Sequence, residues 1–419
     1  MSYNNRNITV VGAGASGMVA AIEAAKRGID VNLIEANDKV GKKIYATGNG
    51  RCNLTNRKMS KEYFRSRNMD FVKGVIDSFG YNETISYFSE LGLSFKEKDG
   101  YIYPMSGQAS SVVKVLYTAC LLYGVHIVLG SPIKAISKNN NVFFAETSDN
   151  VYKSAGLILS CGSLAGIPRG KQLKINGYDL AKSFGHGMIP IVSSLTGLKC
   201  KNKEFCENCS GVRCDGKIEV FVERNGVYER ASCDEGELQL TSYGVSGIPA
   251  FQVSVYAAYG IREKRDVQIK IDFLNNMTLD EIADMIKKKR EINKNITILQ
   301  CFIGVINDKL ATALIEELDM DIHKKALSMN DEQIKRLAVK IKSYTDKVIG
   351  VNDFASSQVL AGGISLDQLK PTMESRLGSG LYMTGEMLDA DGMCGGYNLQ
   401  WAWATGYMAG NHILNESFS

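Results

Sequence analysis

The 419-residue chain has almost no excess charge: 49 Lys and Arg stand against 45 Asp and Glu, a net of +4. A surplus that small on a chain this long does not by itself call for nucleic acid or a membrane as partner. No apolar run approaches the roughly 18 residues that a membrane helix needs. The opening residues, MSYNNRNITVVGAG, lack the basic, apolar and small-residue succession of a secretory signal. A cytoplasmic protein is expected, and its ten cysteines read as reduced thiols rather than a disulfide framework. Internal repeats and low-complexity linkers are missing as well. What remains, with 45% hydrophobic and 22% charged residues, is an ordinary globular composition, long enough for roughly two or three domains.

The strongest positive signal is ITVVGAGASGMVAAIEAAKRGIDVNLIEA. The apolar run Ile8 to Val11 stops at Gly12-Ala13-Gly14-Ala15-Ser16-Gly17, a helical pattern runs to Arg27, Gly28 ends it, and a second apolar run, Val31 to Ile34, finishes at Glu35. This is the dinucleotide fingerprint in its setting of strand, tight turn, helix and strand. Gly12 allows the turn, Gly14 lets the backbone approach a pyrophosphate, and Gly17 lets helix and strand pack closely. The helix N-terminus offers free N–H groups to the phosphates. Glu35 stands where an acid accepts hydrogen bonds from a ribose 2′-hydroxyl.

A second glycine-led helix lies near the other end. Leu381 to Thr384 reads as a short strand, Gly385-Glu386 follows, and Gly395-Gly396 opens a helix through Tyr397, Asn398, Leu399 and Trp401. Many flavoproteins hold the far half of FAD this way, with an acid on a ribityl hydroxyl and a helix N-terminus toward the flavin pyrimidine edge. A third stretch, ATGNGRCNLTN at 46–56, crowds turn formers with polar groups. Gly48 and Gly50 permit close approach, while Thr47, Asn49, Arg51 and Asn53 offer donors to phosphate, ribityl and flavin edges.

GKKIYATGNGRCNLTN, GELQLTSYGVSGIPAFQVS, FASSQVLAGGIS and the stretch from Thr372 to Gly406 closely resemble the bacterial BaiN-like FAD-dependent oxidoreductases, also called aminoacetone-oxidase-like. The resemblance spans nearly the whole chain. It implies an α/β fold with a Rossmann-like, glutathione-reductase-like FAD-binding domain split in sequence: 1–190 and 346–419, interrupted by a β-rich, barrel-like domain at 191–275 and a helical subdomain at 276–345. It also places the 46–56 loop against the isoalloxazine ring. With the motifs, it assigns Gly12, Gly14, Ala15, Ser16, Gly17, Glu35, Lys43, Thr47, Gly48, Asn49, Arg51, Cys52, Asn53, Gly162, Gly385, Glu386, Gly395, Gly396, Tyr397, Asn398 and Leu399 to noncovalent FAD. The expected reaction is hydride exchange between flavin N5 and a small organic substrate, by C=C reduction or amine or C–H oxidation, with no nucleic acid or membrane as partner; the alternatives are a flavin-dependent tRNA-modifying enzyme, against which the mild charge argues, and a non-catalytic FAD-binding or electron-carrier module. Two departures stand out: CGSLAGIPRGKQLKING replaces the family's glycine-rich turn after the Cys-Gly pair, and Ser242 occupies a position where many relatives carry His or Asp.

Local chemistry supports the same frame. Alternation in KIEVFVERNGVYER around Asn225-Gly226 predicts a hairpin in a β-like stretch from about 190 to 273, and Thr278 and Asn330 read as helix N-caps. Cys52 has no close cysteine for a dithiol mechanism and reads as a packed thiol. Of Cys200, Cys206, Cys209 and Cys214, only Cys206 and Cys209 make a metal-type pair, so no metal is expected. His186 reads as a packed histidine and the KKKR run at 287–290 as a solvated helix face. No second strand-GxGxxG-helix unit occurs. NAD(P)H, if used as a transient reductant, must therefore enter the substrate cavity itself.

Overall fold

The computed structural model describes residues 6–415. They divide into two compact units, one comprising residues up to Ile191 together with those from Val359 onward, the other Val192–Gln358.

The first unit is built on a five-stranded parallel sheet in the order Leu381–Met383, Gly156–Leu159, Asn7–Val11, Asp30–Ile34, His126–Val128. The interior strand Gly156–Leu159 is buried along its whole length and Ile8–Val11 likewise, as expected of parallel strands covered on both faces, whereas Asp30 and Asn32 alternate with Val31 and Leu33 in Asp30–Ile34. The helix Ala15–Lys26 packs against the C-terminal helix Tyr397–His412. Two glycines make that crossing possible: a Cβ at Gly406 would overlap the Ser16 carbonyl oxygen, and one at Gly410 would overlap that of Ala20. Trp401 and Trp403 of the same helix are fully buried, and their indole N–H groups donate to the carbonyls of Gly385 (3.2 Å) and Leu54 (3.0 Å).

The second unit is a closed antiparallel barrel with helices sharing its core. Strands follow the order Leu198–Cys200, Gly244–Ser246, Val227–Thr241, Arg213–Arg224, Val267–Asp272, Tyr344–Val351, and the last pairs with the first. Asn225 and Gly226, at φ 53° and 81°, form the two-residue hairpin turn with both central residues left-handed, matching the twist of the flanking strands. Thr278 and Asn330 cap the helices Leu279–Ile292 and Asp331–Lys342, each through a reciprocal capping box. The KKKR run lies on the first of these helices, where Lys287 and Arg290 reach Asp331 at 3.3 and 3.9 Å.

Three sequence expectations differ from the structure here. Ile248–Arg262, read as part of a β-like stretch, is a helix. Its Val253, Val255, Tyr256 and Tyr259 carry strand propensity, but Gly247 and Pro249 open a helix and Ala250, Val253 and Ala257 bury one face of it. The helical segment is not separated from the barrel, because Ile282, Ile334, Leu337 and Ile341 share one apolar core with Ile218, Ile269 and Ile271. The return to the first unit comes at Val359 rather than 346, because Tyr344–Val351 is the strand that closes the barrel.

Candidate functional site

Every residue assigned to the cofactor from sequence lies in the first unit. The glycines of the first turn divide by what surrounds them. A Cβ on Gly12 would meet the Ser160 carbonyl, and one on Gly17 would overlap the Gly12 carbonyl, so these two glycines are required by packing. At Gly14 nothing lies within 4 Å of the Cβ position, and the same holds at Gly162. Packing does not demand glycine at either position; the left-handed backbone of Gly162, at φ 68°, favours glycine by itself, whereas Gly14, at φ −85°, has neither reason.

The helix that starts here is open for an anion. Gly14 is its N-cap, no side chain caps it, and its first turn holds no acid. The free N–H groups and the positive end of the dipole are thus left for phosphate. Glu35 is 8% exposed. One carboxylate oxygen accepts the Ala13 N–H at 2.8 Å; the other accepts the Asn37 backbone and side-chain N–H groups at 2.8 and 2.6 Å. Glu35 therefore ties the turn to the end of the second strand and keeps one lone pair, on Oε2, able to accept a further hydrogen bond.

The residues assigned to the distal half include two buried acceptors without a hydrogen bond. Lys43 and Glu386 form an ion pair through one carboxylate oxygen, whereas the other, Oε1, is buried without a hydrogen bond. Asn53 Oδ1 is buried and unpartnered too, close to the Cβ position of Gly396. Gly396, at φ 92°, is the N-cap of Tyr397–His412, again with no capping side chain and no acid in the first turn. Orphaned acceptors suit ribityl and flavin N–H or O–H donors. The 46–56 loop is held in a left-handed path, with Gly48, Asn49, Gly50 and Cys52 at φ 56°, 52°, 81° and 58°.

Some assigned side chains are committed within the protein. Asn398 exchanges two hydrogen bonds with the Gly392 backbone (2.8 and 2.7 Å), and the Thr47 hydroxyl donates to the Ile44 carbonyl at 2.7 Å. Tyr397 stacks on Tyr63 with ring centroids 4.7 Å apart and donates to the Lys58 carbonyl. The Arg51 guanidinium is exposed over the Tyr103 ring. Leu399 is half-buried, packed against the main core. Ala15 and Ser16 form the first turn of the open helix, and the Ser16 hydroxyl lies against Gly385, which joins the two glycine turns.

Supporting residues that the sequence reading passed over are polar groups inside apolar helices. Gln400 is fully buried: its carbonyl accepts Thr55 and Thr84 hydroxyls (2.6 and 2.9 Å), and its amide donates to Phe79 and Gly80. Thr405 takes the Gly385 N–H at 2.9 Å, and Ser160 and Thr384 hydroxyls join at 2.7 Å. A buried Gln or Thr in a run such as YNLQWAWATG is the signal that could have found them.

Burial pushes the Cys52 thiol up to about 12, and it is fully enclosed, so it packs as a thiol and makes no nucleophile. Cys161, beside the Gly162 turn, is likewise raised to about 12, first by burial and then by the Glu35 charge. His186 is 3% exposed. The Ser375 oxygen already accepts the N–H groups of Leu377 and Gly378, so its hydroxyl donates to His186 Nε2 at 2.9 Å. That bond needs a neutral ring, and desolvation lowers the His186 pKa below the ordinary 6.5. The unfolded chain then binds the extra proton first. Stability is complete above about pH 6.5 and is lost as pH falls from there toward the lower native value. Denaturant titrations between pH 7.5 and 5 are expected to show this loss, and His186→Gln to flatten it; an unchanged slope in the variant refutes the assignment.

The HI0933-like protein Rossmann domain family matches residues 6–412 of this chain. The chain belongs to the HI0933-like family. It is 38% identical, over 96% of its length and 98% of the relative's, to a 3-dehydro-bile acid delta(4,6)-reductase of Clostridium scindens. Ribosomal RNA dihydrouridine synthases of Haemophilus influenzae and Escherichia coli are 28% and 26% identical, over 99% and 97% of this chain and 100% and 97% of theirs. Like its relatives in this family, the chain is an FAD-dependent oxidoreductase. Among the described residues no helix is long and apolar enough to cross a membrane.

Proposed function

We propose that this protein reduces a carbon–carbon double bond in a small, largely apolar ring substrate. The observation that carries the reading is the 38% identity, end to end, with a reductase named for a 3-dehydro-bile acid and its delta(4,6) positions. FAD, when bound, supplies hydride at flavin N5. The protein's part is to hold and tune: the N-terminus of Ala15–Lys26 receives the pyrophosphate, Glu35 takes the ribose, and Glu386 Oε1 and Asn53 Oδ1 accept hydrogen bonds from the distal half. The open N-terminus of Tyr397–His412 contributes positive potential near the flavin's pyrimidine edge.

A second reading, reduction of a uracil ring in ribosomal RNA, is supported by the two dihydrouridine synthases among the relatives. Both readings share reduction of a ring double bond. Anaerobic reduction of the holoprotein, followed by mixing with a 3-oxo steroid dienone, a simple cyclic enone or a ribosomal RNA transcript, separates them. The steroid dienone is expected to reoxidise the flavin at least tenfold faster than the transcript; the reverse order rejects the bile-acid-like substrate.

The second unit is barrel and helix, and among the described residues there is no second glycine-turn nucleotide unit. Nicotinamide, as reductant, then takes turns with the organic substrate in one cavity. Parallel double-reciprocal lines are expected when both are varied; intersecting lines exclude the shared cavity.

A further inference from the structure

We propose that Cys200, Cys206 and Asp346 form a structural zinc site on the seam that closes the barrel. Each offers one donor atom, and the three atoms lie within 4.8 Å of one another. Tetrahedral zinc with Zn–S near 2.3 Å sets its donors roughly 3.8 Å apart, so small side-chain rotations bring these three onto one ion. A cavity of ≈ 10 Å³ sits at the same place, lined by these three residues with Cys209 and Tyr344 and by apolar neighbours such as Leu240 and Val245. That is room for about one small ion or water.

The surroundings are arranged as a ligand set requires. Asp346 is fixed by backbone donors: the Asn202 N–H is shared between its Oδ2 at 3.1 Å and its Oδ1 at 3.3 Å, and its Oδ1 also accepts the Lys347 N–H at 2.7 Å. Oδ2 is the oxygen with a lone pair left for an ion, and such second contacts orient a ligating carboxylate. Two thiolates with one carboxylate select zinc over magnesium or calcium, which prefer all-oxygen sets. The fourth position falls to water or, after a rotamer change, to Cys209.

The placement explains what the metal does. Cys200 ends the strand Leu198–Cys200, Asp346 lies on Tyr344–Val351, and these two strands form the closing pair, with an irregular register between Lys199 and Cys200. Cys206 lies on the short helix Lys203–Asn208. One ion thereby ties the first barrel strand, the last and the helix between Cys200 and Cys209. The spacing of cysteines in the sequence hid this, because the third donor is an aspartate far along the chain.

The test uses the full-length, FAD-loaded protein, prepared without a metal-affinity step and kept reduced with a phosphine. After incubation with zinc and dialysis against a weak chelator, about one zinc per chain is expected, with two sulfur scatterers in the zinc-edge X-ray absorption. Cys206→Ser and Asp346→Asn are each expected to weaken retention at least tenfold with flavin content unchanged, whereas Cys233→Ser, at an exposed cysteine outside the cluster, retains the metal. Zinc lost on dialysis of the parent protein, a first shell without sulfur, or equal retention in Asp346→Asn overturns the site. The two variants carry the test independently: if Cys206→Ser fails to fold, Asp346→Asn decides.

Discussion

Gly14→Val is expected to yield a folded protein that binds FAD ten- to hundredfold more weakly. No protein atom lies within 4 Å of the Cβ position at Gly14, and its backbone, at φ −85° and ψ −162°, is open to any L-residue. The valine side chain therefore enters the space where the phosphates meet the helix N-terminus. Overpacking of this kind costs about 1–3 kcal/mol, here taken from binding rather than from folding. Gly17→Val is the contrast. Its side chain would run into the Gly12 carbonyl and the Ser160 side chain, so helix and strand must separate. Apoprotein melting together with flavin titration distinguishes the two positions. A Gly14→Val protein that melts well below the parent, or that binds FAD as tightly, refutes the division of labour between these glycines.

Glu35→Ala is expected to lose both cofactor affinity and apoprotein stability. The carboxylate holds the Ala13 and Asn37 backbone N–H groups, and in its absence two mostly buried donors are left without an acceptor. Each such loss costs about 1–3 kcal/mol. Removing the ribose contact weakens FAD by roughly ten- to hundredfold besides. Glu35→Gln keeps one acceptor oxygen and is expected to fall between the two. The check is paired: calorimetry on apoprotein and FAD titration of each variant. A fall in affinity with no change in apoprotein melting shows that Glu35 touches only the ribose.

Much of the first unit was legible because its signals are local. Gly12 to Gly17, Gly28 and Glu35 sit within one strand-turn-helix-strand unit, where chain chirality and close packing leave few alternatives. The hairpin turn at Asn225-Gly226 and the caps at Thr278 and Asn330 are local in the same sense, since each is decided by a few adjacent residues.

Other features have no local cause. Ile248–Arg262 carries strand-forming residues and becomes a helix because burial of Ala250, Val253 and Ala257 outweighs a propensity difference of at most about 1 kcal/mol per residue. Gln400 reads as an interruption in an apolar helix until Thr55, Thr84, Phe79 and Gly80 converge on it. Asp346 is one acid among many until barrel closure brings it beside Cys200 and Cys206. Sequence by itself determined that the chain has an FAD-binding Rossmann frame and where its two glycine-led helices open, since turn geometry and helix-end electrostatics are short-range. Which glycines are fixed by packing, where the barrel closes, and which distant side chains meet were decided by tertiary structure alone, because those contacts join residues whose separation along the chain carries no pattern.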